Sequence, residues 1–234
     1  MPGSLVALDI DNCLMPVDEP AAPETREGLQ GLAETGARVC FASGKPCLYL
    51  SGLARGLGVV GASLIGENGA DIWVASTMPP VRLPVAVRND ERDALARLRA
   101  EVLERYGNQV FFQPNSVGVT AFPLPGGPTP DAIARAVGVD MPPSIVRYVH
   151  VDSVDWAIGR VDKGAALRRL AEHLRIPLTR VAAVGDSAND LPMFTVAALS
   201  LWVGDPEAVR TCEAQQLPSI AEALARVQEF ASAV

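Results

Sequence analysis

The sequence predicts an α/β fold in which a parallel sheet lies between layers of helices and is interrupted by an α+β insert. Short apolar runs, each ending in a polar or glycine-containing turn and followed by helical periodicity, recur along the 234 residues, as is typical of parallel sheets covered by helices. A proline-rich stretch of different composition separates two groups of these runs. The content of 49% hydrophobic and 20% charged residues indicates a globular chain and excludes a disordered one.

The first part of the chain alternates predicted strands and helices. Three apolar runs are predicted as parallel strands: residues 5–8, 39–42 and 63–65. Two helices are predicted between them: residues 24–35, stopped by Gly36, and a segment from Pro46 that ends at Gly58. A hairpin strand over residues 72–75 is predicted after the turn Glu67-Asn68-Gly69.

The middle of the chain predicts a separate domain. It opens with Pro79, Pro80 and Pro84, and prolines in such number indicate a boundary. Inside it the order helix, strand, strand is predicted to occur two times. The first set is a helix over residues 90–106 and strands over 110–112 and 117–122, and the second is a helix over 130–137 and two strands on either side of Asp152-Ser153. The sequence therefore predicts an insert over residues 81–159 and a core made of residues 1–80 and 160–234.

The last part returns to the first pattern. Two further parallel strands are predicted: residues 181–184 and 199–203. Helices are predicted over residues 163–174 and 189–197, and a final helix begins at Ser219. Glu222, three residues after Ser219, completes the pattern of a capping box.

Charge and apolar patterning exclude several classes of function. Twenty basic and 27 acidic residues give a net charge of −7, which opposes binding to nucleic acid or to an anionic membrane. No run approaches 18 apolar residues and no signal-peptide pattern opens the chain, so we expect a cytoplasmic protein without a membrane partner. The four cysteines, Cys13, Cys40, Cys47 and Cys212, lack metal-ligand spacing and are predicted to be buried thiols. The sequence leaves the oligomeric state open.

Polar residues follow the predicted strands at one edge of the sheet. In open α/β sheets ligands bind at the carboxyl ends of the strands, and this edge receives four short segments: Asp9 to Asn12, Ser43 to Lys45, Asp162 to Gly164, and Gly185 to Asp190. Carboxylates gathered at one edge repel one another unless a cation lies among them, and Mg²⁺ prefers carboxylate and water oxygens. With Lys163 and Ser43, the edge predicts a pocket that holds a phosphoryl group and directs it at an aspartate.

The same four segments carry a family resemblance. In order they read DIDN (Asp9–Asn12), ASGK (Ala42–Lys45), VDKG (Val161–Gly164) and GDSAND (Gly185–Asp190), and together they resemble the haloacid dehalogenase superfamily of phosphohydrolases. The insert resembles the type IIB cap of that family. SGKPCLYLSGLARGLG followed by IGENGADIWV is similar to the Cof-like subgroup of phosphoglycolate and sugar-phosphate phosphatases. The resemblance implies a Rossmann-like three-layer core with an α+β cap, and a Mg²⁺-dependent hydrolase that acts on a small phosphomonoester.

The resemblance also implies a role for each motif residue. Asp9 would be the nucleophile that forms an aspartyl-phosphate, and Asp11 the general acid and base. The resemblance further implies two binding sets. The Mg²⁺ ligands would be Asp9, Asp11 through its backbone carbonyl, Asp186, and Asp190 directly or through water. The phosphoryl group would be held by Ser43, the Gly44 amide and Lys163, supported by Asn189.

Two positions depart from the family pattern. Asn12-Cys13 stands where Gly-Thr is common, and we expect a less tightly hydrogen-bonded turn there. Lys45 stands where arginine is frequent, so a bidentate contact is lost if that side chain touches substrate.

Single motifs and other functions give alternative interpretations. Each segment alone has a plain structural explanation, such as a solvated turn or a helix cap, and Asn68-Gly69 is explained by a β-turn; the joint occurrence of all four motifs favours catalysis. A receiver-like phospho-signalling domain would share the acidic edge and the lysine, but it needs neither the insert nor GDSAND. A silent binding protein would be expected to lack Asp9 or Lys163. A phosphomutase or other phosphotransferase using the same aspartyl-phosphate stays open.

Overall fold

The computed structural model describes residues 3–204 and 213–233. The chain divides into two compact units, and we call residues up to Leu83 together with those from Asp162 the core unit, and Pro84–Val161 the insert unit. The predicted boundaries, at residues 81 and 159, differ by a few residues. Residues 82 and 83 belong to the core unit because they form a strand that pairs with the preceding one.

The first segment of the core unit begins with β1 (Leu5–Leu8), α1 (Pro23–Glu34), β2 (Arg38–Ala42) and α2 (Cys47–Gly56). It continues with β3 (Ser63–Gly66), a 3₁₀ turn (Glu67–Gly69), β4 (Asp71–Trp73) and β5 (Arg82–Leu83). The hairpin strand after β3 is shorter than predicted, and the two-residue β5 was not predicted from the sequence.

The insert unit contains α3 (Asn89–Tyr106), a 3₁₀ turn (Gly107–Gln109), β6 (Val110–Phe112), β7 (Val119–Pro123), α4 (Pro130–Ala136), β8 (Ile145–Val149) and β9 (Val154–Ile158). The four strands form an antiparallel sheet in the order β6-β7-β9-β8. Alternate strand residues such as Val119, Val154 and Trp156 pack with apolar residues of α3 and α4 in one buried cluster. The unit therefore has its own core.

The second segment of the core unit comprises α5 (Lys163–Leu174), β10 (Val181–Gly185), α6 (Leu191–Phe194), β11 (Leu199–Val203), β12 (Gln215–Leu217) and α7 (Ile220–Ser232), with 3₁₀ turns at Leu178–Arg180 and Ala188–Asp190. The prediction of one helix over residues 189–197 is wrong. The α-helix ends at Phe194 because the chain must join the sheet, where the Ala198 amide donates to the Val181 carbonyl. At the start of α7, Ser219 Oγ accepts a hydrogen bond from the Glu222 amide.

The core unit is built on one eight-stranded sheet in the order β12-β11-β10-β1-β2-β3-β4-β5. The strands from β12 to β3 are parallel, and β4 and β5 are antiparallel additions at the edge. β12, with the sequence Gln-Gln-Leu, was not predicted because it has no apolar run.

Helices cover both faces of this sheet. Val6, Leu8 and Phe41 point to one face, where they join a buried cluster with α1, α2 and α7. Because side chains alternate along a strand, the neighbouring residues Ala7 and Cys40 point to the other face, where α5 and α6 contact β3, β10 and β11. The predicted three-layer α/β arrangement with an α+β insert is confirmed.

The structure also tests the expectations of buried cysteine thiols and of a chain without a membrane-spanning helix. Cys13, Cys40 and Cys47 are buried free thiols, as predicted, and Cys212 lies outside the described residues. Among the helices of the described residues, none has the length and apolar character needed to cross a bilayer.

Candidate active site

Adjacent strands bring the motif residues of the core unit together. β10, β1 and β2 are neighbours in the sheet, so the residues after their carboxyl ends, Asp186, Asp9 and Ser43, share one edge. The Asp9 amide continues the ladder by donating to the Val184 carbonyl over 3.0 Å. Asp9 is therefore fixed by the sheet and does not depend on a mobile loop.

Lys163 joins two of the acidic residues. Its Nζ lies 2.6 Å from Asp9 Oδ1 and 2.6 Å from Asp190 Oδ1, and the lysine and Asp190 are fully buried. A buried ammonium is costly unless its donors are satisfied by opposite charge. The two carboxylates supply that charge across 154 and 27 residues of sequence.

Asp190 shapes the loop that carries Asp186. Its Oδ2 accepts hydrogen bonds from the amides of Asp186 and Ser187, both over 3.1 Å. A Cβ atom on Gly185 would lie 2.6 Å from this carboxyl group, so the approach requires glycine at that position. Both Asp190 oxygens accept hydrogen bonds, so Asp190 holds the Lys163 ammonium and the loop that carries Asp186.

The acidic cluster has strongly perturbed titration. Burial, which outweighs the opposing charge of Lys163, raises the pKa of Asp9 well above its ordinary value. Burial and then the charge of Asp190 raise the pKa of Asp186 to about 6. Burial alone would lower the pKa of Lys163, but Asp190 and Asp9 raise it above its ordinary value. The lysine is therefore a permanent cation in this site.

The start of α5 holds Lys163 in place. Asp162 Oδ1 accepts a hydrogen bond of 2.7 Å from the Ala165 amide, which caps the helix. A Cβ atom on Gly164 would lie only 2.1 Å from the Pro192 carbonyl oxygen. The helix can approach α6 this closely only because residue 164 has no side chain.

Asp11 lies beside the loop after β2. Its Oδ2 lies 3.4 Å from Ser43 Oγ and 3.3 Å from Lys45 Nζ. The Asp11 carboxyl group thus belongs to the part of the edge predicted to hold phosphate. The metal contact that the family resemblance implies for Asp11 uses its backbone carbonyl and stays a prediction.

The backbone conformation of the turn after Asp11 explains why asparagine can stand at position 12, where glycine is common in the family. Asn12 has a φ of 62°, in the left-handed region that glycine and asparagine adopt most readily. Its amide donates to the Met15 carbonyl over 2.8 Å, and the amides of Leu14 and Met15 donate to the Ile10 carbonyl. The Asn12-Cys13 departure is therefore compatible with a hydrogen-bonded turn.

The turn Glu67-Asn68-Gly69, which the sequence analysis explained as a β-turn without function, contacts three of the motif segments. The amides of Glu67 and Asn68 donate to the carbonyls of Lys45 and Ser43. Asn189 Nδ2 donates to Asn68 Oδ1 over 3.2 Å. A Cβ on Gly69 would lie 2.3 Å from the Asp162 carbonyl oxygen.

The place of this turn in the sequence, directly after a predicted strand, was the feature that could have identified it as part of the site. It follows β3 directly at the same edge of the sheet, and two of its residue types, asparagine and glycine, tolerate positive φ, which is 54° at Asn68 and 107° at Gly69. The asparagine side chain beside Gly44 makes it a functional candidate.

The acidic residues fit a divalent cation. Asp9, Asp186 and Asp190 each offer a carboxylate oxygen, and these oxygens lie within 4.8 Å of one another. Among the described residues, the buried Oδ1 of Asp186 has no hydrogen-bond partner, so it is an acceptor in need of a positive group. Hard carboxylate oxygens are the donors that Mg²⁺ prefers.

Comparison with known proteins decides the family. Residues 6–79 and 144–211 match the model of the haloacid dehalogenase-like hydrolases, and these segments contain all the motif residues described above. The chain belongs to this family. The recognition of a haloacid dehalogenase superfamily phosphatase, and hence of a hydrolase, is confirmed.

Relatives and a solved structure agree with this family assignment. The chain is 28% identical to a mannosyl-3-phosphoglycerate phosphatase of Pyrococcus furiosus, over 95% of this chain and 99% of that protein. It is 29% identical to a phosphoglycolate phosphatase of Methanoculleus marisnigri, over 80% and 78% of the two chains. A haloacid dehalogenase-like hydrolase from Bacteroides thetaiotaomicron has the same fold, with a TM-score of 0.77, 17% identity, and coverage of 96% and 99%.

Proposed function

We propose that this haloacid dehalogenase-like hydrolase is a Mg²⁺-dependent phosphatase that cleaves a small-molecule phosphomonoester through an aspartyl-phosphate on Asp9. The observation that carries the proposal is the buried Lys163, which binds Asp9 Oδ1 and Asp190 Oδ1 at 2.6 Å beside Asp186. A cation and a fixed carboxylate at the end of a strand are what phosphoryl transfer to an aspartate requires.

The proposed reaction has two displacements. In the first, an Asp9 carboxylate oxygen bonds to phosphorus, the ester P–O bond breaks, and Asp11 gives its proton to the leaving oxygen. In the second, Asp11 takes a proton from water, the water oxygen bonds to phosphorus, and inorganic phosphate leaves as the Asp9 carboxylate reforms. Ser43, the Gly44 amide and Lys163 hold the phosphoryl oxygens, and Asn189 supports them.

The acidic side chains also have a role in holding metal. Asp9, Asp186 and the Asp11 carbonyl would hold Mg²⁺, with Asp190 assisting directly or through water. When bound, Mg²⁺ neutralises charge on the phosphoryl group and on the acidic cluster.

The relatives and the insert bear on the substrate. The names of two relatives specify phosphoglycolate and mannosyl-3-phosphoglycerate as their substrates, so phosphoglycolate and sugar phosphates are the first candidates here. We propose that the insert unit is a cap that selects among them. We also propose that neither nucleic acid nor a membrane is a partner of this protein. The cytoplasmic location expected from the sequence stays a prediction.

The first test is metal-dependent turnover. With Mg²⁺, the protein should release phosphate from members of a panel of phosphoglycolate, hexose phosphates, glycerol phosphates and mannosyl-phosphoglycerate, and chelation should abolish the release. Ca²⁺ should fail to restore it, because the larger and looser calcium shell misplaces the attacking carboxylate.

Asp9→Asn should remove both turnover and acid-stable labelling of the protein by substrate phosphate after denaturation. Activity in the chelated protein, or phosphate trapped on another residue, would contradict the proposal. Transfer of the label to a second sugar phosphate would identify a mutase.

A further inference from the structure

Lys45 forms an ion pair with Asp11 that the proposed phosphatase reaction does not by itself explain. Its Nζ lies 3.3 Å from Asp11 Oδ2, and the side chains of Lys45 and Asp11 are 24% and 27% exposed. Ser43 Oγ lies 3.4 Å from the same oxygen. One oxygen of the Asp11 carboxyl group therefore faces two donors from a single loop.

Two backbone hydrogen bonds fix the position of the Lys45 main chain, from which the side chain reaches Asp11. Its amide donates to Ser43 Oγ over 3.2 Å, and its carbonyl accepts from the Glu67 amide over 3.0 Å. The lysine side chain therefore starts from a fixed point next to Asp11. An aspartate has only two side-chain torsions, and a charge-assisted contact on one oxygen restricts where the other can lie.

We propose that Lys45 is a positioning residue for Asp11. By holding Oδ2, it places Oδ1 as the oxygen that gives a proton to the leaving group and later takes one from water. This inference rests on the proposed function, because it assigns Lys45 to the step that Asp11 performs. It differs from the interpretation in which the lysine contacts substrate phosphate or the leaving group directly.

Substrates with different leaving groups separate the two interpretations. A p-nitrophenolate ion is a weak base that leaves without a proton, whereas an alkoxide needs one, so only alkyl phosphates depend strongly on a positioned acid. We expect Lys45→Met to lower kcat/KM for the best alkyl phosphate of the panel by about ten- to hundredfold, and to change kcat/KM for p-nitrophenyl phosphate by less than about threefold. Lys45→Arg, which keeps the charge, should recover most of the alkyl activity.

Inorganic phosphate serves as the binding probe. If Lys45 acts through Asp11, the inhibition constant of phosphate should stay within about twofold of wild type in Lys45→Met. An equal loss for both substrates, or a marked weakening of phosphate inhibition, would overturn the inference, as would no loss at all. Thermal unfolding of each variant identifies misfolding, and Lys45→Gln serves as the replacement if Lys45→Met does not fold.

Asp11→Asn distinguishes failure of this inference from failure of the proposed function. That variant should lower kcat/KM for alkyl phosphates selectively, because kcat/KM reports the first displacement and not the hydrolysis of the aspartyl-phosphate that all substrates share. Lys45→Met added to it should cause no further loss in kcat/KM, because the two residues act in one step. If Asp11→Asn is selective and Lys45→Met is not, the inference fails while the proposed reaction stands. If Asp11→Asn shows no selectivity, the role of Asp11 fails and the inference fails with it.

Discussion

At the scale of single residues, the site depends on buried charges whose removal one at a time destabilises the protein. Lys163 is fully buried and its ammonium is shared by Asp9 and Asp190. Removal of one member of a buried ion pair leaves an uncompensated charge and costs more than the pair contributes. The triad is therefore a structural unit as well as a candidate catalytic one.

Asn68 offers a residue-scale test of the turn after β3. Asn68→Gly removes the acceptor for Asn189 Nδ2 and keeps a residue that tolerates the φ of 54°. One neutral hydrogen bond contributes about 0.5–1.5 kcal/mol, so we expect kcat/KM to fall by about two- to tenfold in steady-state assays of phosphate release.

The matched control for Asn68 is its partner. Asn189→Ala should cause a similar loss, and the double variant should lose little more than either single one, because both changes break the same contact. Fully additive losses would show that Asn68 acts independently of Asn189.

At the scale of elements, glycines set how closely the helices and loops of the site approach. Gly185 admits the Asp190 carboxyl group, and Gly164 admits the Pro192 carbonyl. These contacts join α5, β10 and α6 around Lys163. A small change in their spacing would move the lysine relative to Asp9.

Gly164→Ala tests this element-scale packing. A Cβ 2.1 Å from a backbone oxygen cannot be accommodated without a shift of α5, and overpacking costs about 1–3 kcal/mol. We expect the free energy of unfolding, measured with denaturant, to fall by about that amount, together with a loss of activity.

Gly52→Ala is the control for this substitution. Gly52 lies within α2, and nothing lies within 4 Å of the position of a Cβ there. Alanine should stabilise the protein by about 0.5–1 kcal/mol, because glycine is the poorer helix former, and should leave activity unchanged. A stable, active Gly164→Ala protein would show that the close approach is dispensable.

At the scale of the whole molecule, the candidate chemistry and the proposed selectivity lie in different units. Every motif residue from Asp9 to Asp190 that we assign to the reaction lies in the core unit, which has its own buried cluster. The insert unit has a separate sheet and core. Fully buried Glu91 stabilises this unit through Arg160, whose Nη2 lies 2.6 Å from Glu91 Oε2.

Excision of the insert tests the division of roles. A chain in which a flexible linker of about ten residues replaces Pro84–Val161 should fold, because both halves of the core sheet are kept. It should retain some turnover of p-nitrophenyl phosphate with Mg²⁺ and lose the substrate preference of the full chain. The measurement is kcat/KM over the panel of substrates, with circular dichroism as the control for folding. An unchanged ranking of substrates would place selectivity in the core unit.

Local sequence determined most of the elements. The apolar runs of β1, β2, β3, β10 and β11 are visible because parallel strands buried on both faces need continuous apolar sequence. The four motifs identify the family because each follows a strand or opens a helix. Where local pattern was weak, as in the polar β12 or the two-residue β5, the sequence gives too little periodicity to predict a strand.

Only the tertiary structure decided which side chains of the site are in direct contact with one another. Asn68 meets Asn189 across 121 residues, and Lys163 meets Asp9 across 154; no local pattern encodes such pairs. The sequence placed Asp11, Ser43 and Lys45 at one edge, but the ion pair between Lys45 and Asp11 depends on loop geometry that the Glu67–Gly69 turn fixes. The sequence by itself determined most of the strands, the motifs and the family resemblance, because these depend on residues that are close together along the chain. The contacts among the motif loops depend instead on strand order and packing.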